Sequence, residues 1–184
     1  LPQRWTDLSA VTVSYGHGIS ASPLHLAAGY AAIANGGYAV TPTLLKQTEP
    51  QLGPRVMRDD VARAARVMLR KVVTEGTASF GEVPGYHVGG KTGTSEKLKA
   101  NGRGYYDDKN INTFASIFPA HDPQYVLVVT LDEPVESSGK KPRRTAGWTA
   151  VPVAAQMIER IAPLLGMAPQ FDAVRPEGVV YTSQ

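Results

Sequence analysis

Residues 85–92 read Gly-Tyr-His-Val-Gly-Gly-Lys-Thr, and they permit two incompatible folds. As G-x-x-x-x-G-K-[ST], the run is a phosphate-cradling loop. Such a loop needs a buried strand before it and a helix after it, whose N-terminus faces the phosphates. Read onward through Gly93 and Thr94, the second half is instead an extended strand, Gly-Gly-Lys-Thr-Gly-Thr. Period two then sends Thr92 and Thr94 to one face and Lys91 and Gly93 to the other. The neighbours favour the strand. Pro84 is a poor end to a central strand, and Tyr86, His87 and Val88 are bulky for a tight anion nest. Gly93 in a first helical turn would be unfavourable by about 1 kcal/mol relative to alanine. As a strand the segment carries its own chemistry. Glycine lets an extended peptide lie close, as it would when adding to a sheet edge. Two hydroxyls and an ammonium can hold a carboxylate by charge-assisted bonds.

The chain has 184 residues, enough for one domain with a real core. Its 42% hydrophobic content and net charge of +3 exclude disorder. With no cysteine, a disulfide scaffold and a thiolate zinc site are excluded. No apolar run approaches the ~18 residues of a membrane span. Three excess charges are too few for a nucleic-acid footprint, despite a pI near 9.2. Leu1-Pro2-Gln3 shows neither an initiator methionine nor a signal peptide, so the chain reads as a piece of a longer polypeptide.

Residues 1–21 have no sustained period and read as loop, with a short strand at Val11, Thr12 and Val13. Ser22-Pro23 is an N-cap followed by proline at the first helical position, which predicts a helix over 23–34 stopped by Asn35-Gly36-Gly37. Asp59 and Asp60 open a second helix, with Val61, Ala65, Met68 and Val72 as its apolar stripe. Arg63, Arg66, Arg70 and Lys71 fall off that stripe, as on a solvated face. Residues 86–95 read as extended. Residues 113–118 and 125–131 form an antiparallel hairpin turned by His121-Asp122-Pro123, with Val126 to Val129 apolar enough for burial on both faces. A last helix opens near Thr149 to Pro152, carries Val151, Ala155, Ile158, Ala162 and Leu165, and ends near Pro163. The fold class is α/β (α+β): an antiparallel sheet covered by helices, with the body over 1–166 and a tail over 167–184.

Several ordered segments together resemble one family. They are Gly16-His17-Gly18-Ile19-Ser20-Ala21-Ser22-Pro23-Leu24-His25-Leu26-Ala27, Tyr30-Ala31, Ala34-Asn35-Gly36-Gly37, Lys91-Thr92-Gly93-Thr94-Ser95, Phe118-Pro119-Ala120, Asp132-Glu133-Pro134 and Ala150-Val151-Pro152-Val153. Their order and spacing resemble the class B penicillin-binding proteins, the division-specific D,D-transpeptidases, in which Lys-Thr-Gly is a signature strand. The resemblance implies the C-terminal half of a penicillin-binding/β-lactamase-like transpeptidase fold. It makes the acids after residue 131 a plain strand end with no magnesium role. It also implies acyl transfer on peptidoglycan stem peptides ending in D-Ala-D-Ala, and β-lactam binding, without a cofactor.

The resemblance further assigns roles. Lys91 would give electrostatic and proton-network support, Thr92 and Thr94 would hold the substrate or β-lactam carboxylate, and Gly93 would admit the substrate backbone. The Thr94 N–H would be one oxyanion donor. The family's other two elements precede this strand, and neither is present. No Ser-x-Asn occurs, and the Ser-x-x-Lys spacings at Ser137/Lys140 and Ser138/Lys141 lie in a Gly- and Pro-containing loop after it. The chain therefore carries no nucleophile and is expected to be inactive alone. Expected partners are stem peptides, β-lactams, the missing N-terminal part of its own domain and membrane proteins of the division machinery, at the outer face of the cytoplasmic membrane. Alternatives are a non-catalytic wall-peptide or partner-binding module, a hydrolytic relative using water as acceptor, and a P-loop nucleotidase over Gly85 to Thr92.

The remaining candidates are weaker. His17, His25, His87 and His121 lack ligand spacing, so no metal site is expected. Trp5 and Trp148 read as packing residues. Tyr105-Tyr106 sit in a polar loop that could wall a cleft, and Lys140, Lys141, Arg143 and Arg144 read as a solvated basic loop rather than a surface for anionic polymer.

Overall fold

The computed structural model describes residues 5–16, 18–49 and 51–171, so Leu1 to Gln3, His17 and the tail beyond 171 lie outside the described residues. The elements are helices α1 (Asp7–Ser14), α2 (Pro23–Ala34) and α3 (Asp59–Thr74), strands β1 (Gly89–Leu98), β2 (Tyr105–Phe118) and β3 (Tyr125–Asp132), and helix α4 (Ala150–Ile161). The strands form an antiparallel sheet in the order β1-β2-β3. Along β2 all five residues from 114 to 118 are buried, both parities alike, so this central strand is covered on both faces. The core joins Phe114, Phe118 and Val88 of the sheet region to Val73 of α3 and Val151, Ala154 and Ile158 of α4.

Helix α2 forms as its caps predict. Ser22 Oγ accepts from His25 N–H at 3.2 Å, and Pro23 takes the first position. At the other end Asn35 Oδ1 accepts from Tyr38 N–H at 2.9 Å, while Gly36 and Gly37 turn the chain at φ +84° and +105°. Four expectations need correction. The strand expected at residues 11–13 is part of helix α1, which Thr6 caps by accepting from Ser9 N–H at 3.1 Å. On α3 the buried residues are Ala62 and Val73, one position on from the expected stripe, while Val61 and Met68 are exposed. The slip has a tertiary cause. Arg66 is drawn to the C-terminal carbonyls of α2, donating to Ala34 O at 3.2 Å, and Arg70 donates to Val88 O at 2.7 Å and pairs with Glu82. In the run 126–129 only Val129 is buried, because β3 is an edge strand among the described residues. Tyr86 and His87 form a turn rather than extended chain, with His87 at φ +44°.

The approach of β1 to β2 requires a glycine at position 90. A Cβ there would stand 2.6 Å from Ala115 O and 2.7 Å from the Phe114 ring. Gly90→Ala is accordingly expected to lower stability by about 1–3 kcal/mol, the usual penalty of overpacking, read as a fall in the thermal midpoint.

Residues after α4 fold back on the turn before β1. Gln170 N–H donates to Gly85 O at 2.7 Å, and His87 Nε2 lies 2.9 Å from Gln170 O. His87 and His121 meet edge to face at 5.4 Å. Burial, then the neighbouring His87, pushes His121 below its ordinary value of 6.5. The unfolded chain therefore takes up this proton before the folded one. The contribution to stability is complete above the unfolded value and is lost as pH falls through the depressed native one. Denaturation midpoints should fall on acidification below 6.5, and His121→Gln should flatten that fall.

Candidate active site

A cleft of about 550 Å³ runs along the outer side of β1. Its floor is Lys91, Thr92 and Thr94. One wall is the segment after α3, with Thr77 and Phe80, and the other is the loop before α4, with Thr145, Gly147 and Trp148. Two contacts hold the walls to the floor, and a third holds the walls to each other. Thr77 Oγ1 and Thr92 Oγ1 are hydrogen-bonded at 2.8 Å. Ala146 N–H donates to Thr94 Oγ1 at 2.9 Å. Gly147 lies so close to the first wall that a Cβ would meet Thr77 O at 2.5 Å. At one end the rings of Phe80 and Trp148 pack at 4.8 Å, and the Arg143 guanidinium caps the indole at 3.6 Å.

Lys91 is exposed, donates from Nζ to Thr92 O at 2.6 Å, and has no ion pair among the described residues. A solvated ammonium beside two hydroxyls, on a strand edge unpaired among the described residues, can receive a carboxylate and an added backbone strand together. Gly93 is exposed between them, and here the fold itself makes no demand. A Cβ on Gly93 would find its nearest neighbours, Thr113 O and Cβ, at 3.9 and 4.0 Å.

Beside Thr94, as its partner in the β1–β2 register and on the same face, stands Asn112, fully buried. Its Nδ2 donates at 2.7 Å to both Arg144 O and Thr149 Oγ1, while its Oδ1 is buried without a partner. A buried unpaired polar atom costs about 1–3 kcal/mol. The far end of the sheet holds a separate charge cluster. There Lys97 bonds Asp132 and Glu133, each at 2.8 Å, which raises the Lys97 ammonium above its usual range. The hydrogen bonds from Lys97 and then Lys109 hold the Glu133 carboxyl below its own.

Of the four strand residues singled out in the sequence, Lys91, Thr92 and Thr94 line the cleft and Gly93 lies exposed between them; the structure adds Thr77, Phe80 and Trp148 to the lining and Asn112 beside Thr94. Trp148, read from sequence as a packing residue, is part of the cleft wall. Tyr105 and Tyr106, read as loop, open β2 at the end paired with Leu98 and do not line the cleft. Of the basic loop, Arg143 and Arg144 are engaged, Arg143 with Glu136 at 3.8 Å and Arg144 with Asp108 O at 2.9 Å. Ser137 and Ser138 sit at the tip of that loop, closed by the Glu136–Arg143 bridge, and not at a helix start. The chain after Thr92 continues as strand, so no helix N-terminus faces residues 85–92 and a phosphate loop is not formed. No group of three potential metal ligands occurs among the described residues.

The model of the penicillin binding protein transpeptidase domain matches residues 1–158, and the chain belongs to that family. It is 35% identical over 176 residues to a protein described as a probable peptidoglycan D,D-transpeptidase, FtsI, of Caulobacter vibrioides, covering 90% of this chain and 30% of that one. Among solved structures, the apo transpeptidase domain of penicillin-binding protein 3 from Burkholderia pseudomallei superposes with TM-score 0.79 at 36% identity, covering 90% of this chain and 49% of that one. Penicillin-binding protein 3 of Mycobacterium tuberculosis, in complex with ampicillin, gives TM-score 0.75 at 27% identity, covering 94% and 41%. The chain thus spans about half of the solved transpeptidase domain and under a third of the FtsI relative.

Proposed function

We propose that this chain is the C-terminal part of a serine D,D-transpeptidase that cross-links peptidoglycan stem peptides during septal wall synthesis, at the outer face of the cytoplasmic membrane, and that binds β-lactams. The observation that carries the reading is the strand 91–94, whose Lys91 ammonium, without an ion pair among the described residues, and whose Thr92 and Thr94 hydroxyls line one open cleft, beside Gly93, a glycine that the fold does not need. In this reading a serine outside the chain attacks the carbonyl of the penultimate D-Ala. The terminal D-Ala leaves with a proton, and the amine of a second peptide displaces the serine from the ester. Thr94, with Thr92, holds the carboxylate end of the donor peptide, and Lys91 supports charge and proton movement at the serine. Gly93 admits the peptide backbone, and the Thr94 N–H gives one oxyanion bond.

The nucleophile belongs to the remainder of the domain, so residues 1–184 alone should be inactive. A surface for that remainder is at hand. Helix α1 has no buried residue, and Leu8, Val11 and Leu24 stand 71%, 59% and 62% exposed, apolar side chains that a completed domain would cover. The test uses the full-length protein with a peptide ending in D-Ala-D-Ala and an amine acceptor. Release of D-Ala with a cross-linked product supports the reading. Release with only the hydrolysed peptide makes the enzyme a carboxypeptidase, and no release leaves a non-catalytic binding module.

A further inference from the structure

The cleft has one hydroxyl whose hydrogen-bond polarity is fixed. Thr92 Oγ1 faces another hydroxyl, Thr77 Oγ1, and either can donate. Thr94 Oγ1 faces the Ala146 N–H, which can only donate, so Thr94 must accept there and its own proton is directed elsewhere. The Ala146 N–H owes its place to the loop 144–149, and that loop is held at both ends by one side chain. Asn112 Nδ2 donates to Arg144 O at 2.7 Å at the start of the loop and to Thr149 Oγ1 at 2.7 Å at its end. Thr149 Oγ1 passes the chain of bonds on by donating to Thr145 O at 3.1 Å. Asn112 is also the register partner of Thr94, so clamp and hydroxyl sit side by side on one face of the β1–β2 pair. Its buried Oδ1 meets no partner. A leucine would fill that volume without the penalty, so what the asparagine contributes here is its two donors.

We infer that Asn112 is a positioning residue: by holding the loop 144–149 it keeps the Ala146 N–H on Thr94 Oγ1, and thereby leaves the Thr94 hydroxyl proton to be donated to the carboxylate of the ligand in the cleft. The inference rests on the acyl-transfer reading above and adds to it the residue that orients carboxylate recognition from outside the cleft.

The test measures acylation rates of the full-length protein by a penicillin and by its methyl ester, which lacks the carboxylate charge. The readout is the acid-to-ester ratio of rates, because a general loss of structure lowers both rates and leaves the ratio in place. Asn112→Ala should lower the ratio about tenfold, the scale of one charge-assisted hydrogen bond. It should lower it no further on a Thr94→Val background, as expected of two residues acting through one bond. An unchanged ratio in Asn112→Ala, or an added loss on the Thr94→Val background, overturns the inference. Should Asn112→Ala fail to fold, Thr149→Val against Thr149→Ser decides. A ratio lowered by valine and restored by serine supports the clamp, and a ratio untouched by either refutes it. If wild type is acylated by neither compound, the acyl-transfer reading itself has failed and the inference falls with it.

Discussion

Lys91→Met is expected to lower the rate of penicillin acylation of the full-length protein by about 10²–10³, the range seen when one preorganised electrostatic contact is removed from a reacting site. The expectation follows from position. Lys91 lies on the cleft floor, exposed, bonded only to the neighbouring Thr92 carbonyl among the described residues, with no carboxylate neutralising it. Its charge is therefore free for a ligand. Methionine keeps much of the side chain's length and removes the charge, so stability should change little while the rate falls. Lys91→Arg should rescue only in part, because a planar fork does not replace a compact ammonium at a point contact. Stopped-flow acylation with a thermal melt on each variant measures both quantities. A Lys91→Met variant that acylates at the wild-type rate would remove Lys91 from the site.

The second large effect separates two glycines of one strand. Gly90 is required by the fold, as its contact with Ala115 O makes plain, whereas Gly93 has open space where a Cβ would go. Gly93→Val should leave the thermal midpoint within the ordinary scatter of surface substitutions, about 0.5 kcal/mol. It should still lower acylation by about 10²-fold, since a displacement near 1 Å of the bound backbone is enough for that. The opposite pattern, a large loss of stability with normal acylation, would mean that Gly93 serves packing and not ligand approach.

Where sequence reading succeeded, the signal was local. Ser22-Pro23 and Asn35-Gly36-Gly37 bound α2 because capping is decided within three or four residues. The Lys-Thr-Gly strand was separable from a phosphate loop because Gly93 and Pro84 speak against a helix after the lysine and a central strand before it. Where the reading failed, the deciding partner was distant in sequence. The α3 stripe slipped by one residue because Arg66 and Arg70 are claimed by carbonyls of α2 and of the turn before β1. Trp148 lines the cleft because Phe80 and Arg143 pack on it, a contact that no periodicity carries. Asn112 sits in a strand as an unremarkable polar residue, and its role emerges only from the loop folded over it. Helix α1 was missed despite a readable cap, Thr6 with Ser9, because the β-branched Val11, Thr12 and Val13 weigh toward strand.

Residues 91–94 are proposed as one side of a split acyl-transfer site whose serine lies outside this chain. The most direct test of this proposal is intact mass and peptide mapping of the full-length protein after incubation with a labelled penicillin, beside residues 1–184 alone. The expected result is a single adduct on a serine outside residues 1–184, weakened by Thr94→Val, and no adduct on the isolated chain. An adduct on Ser137, Ser138 or any other residue of this chain, or none on the full-length protein, would contradict it.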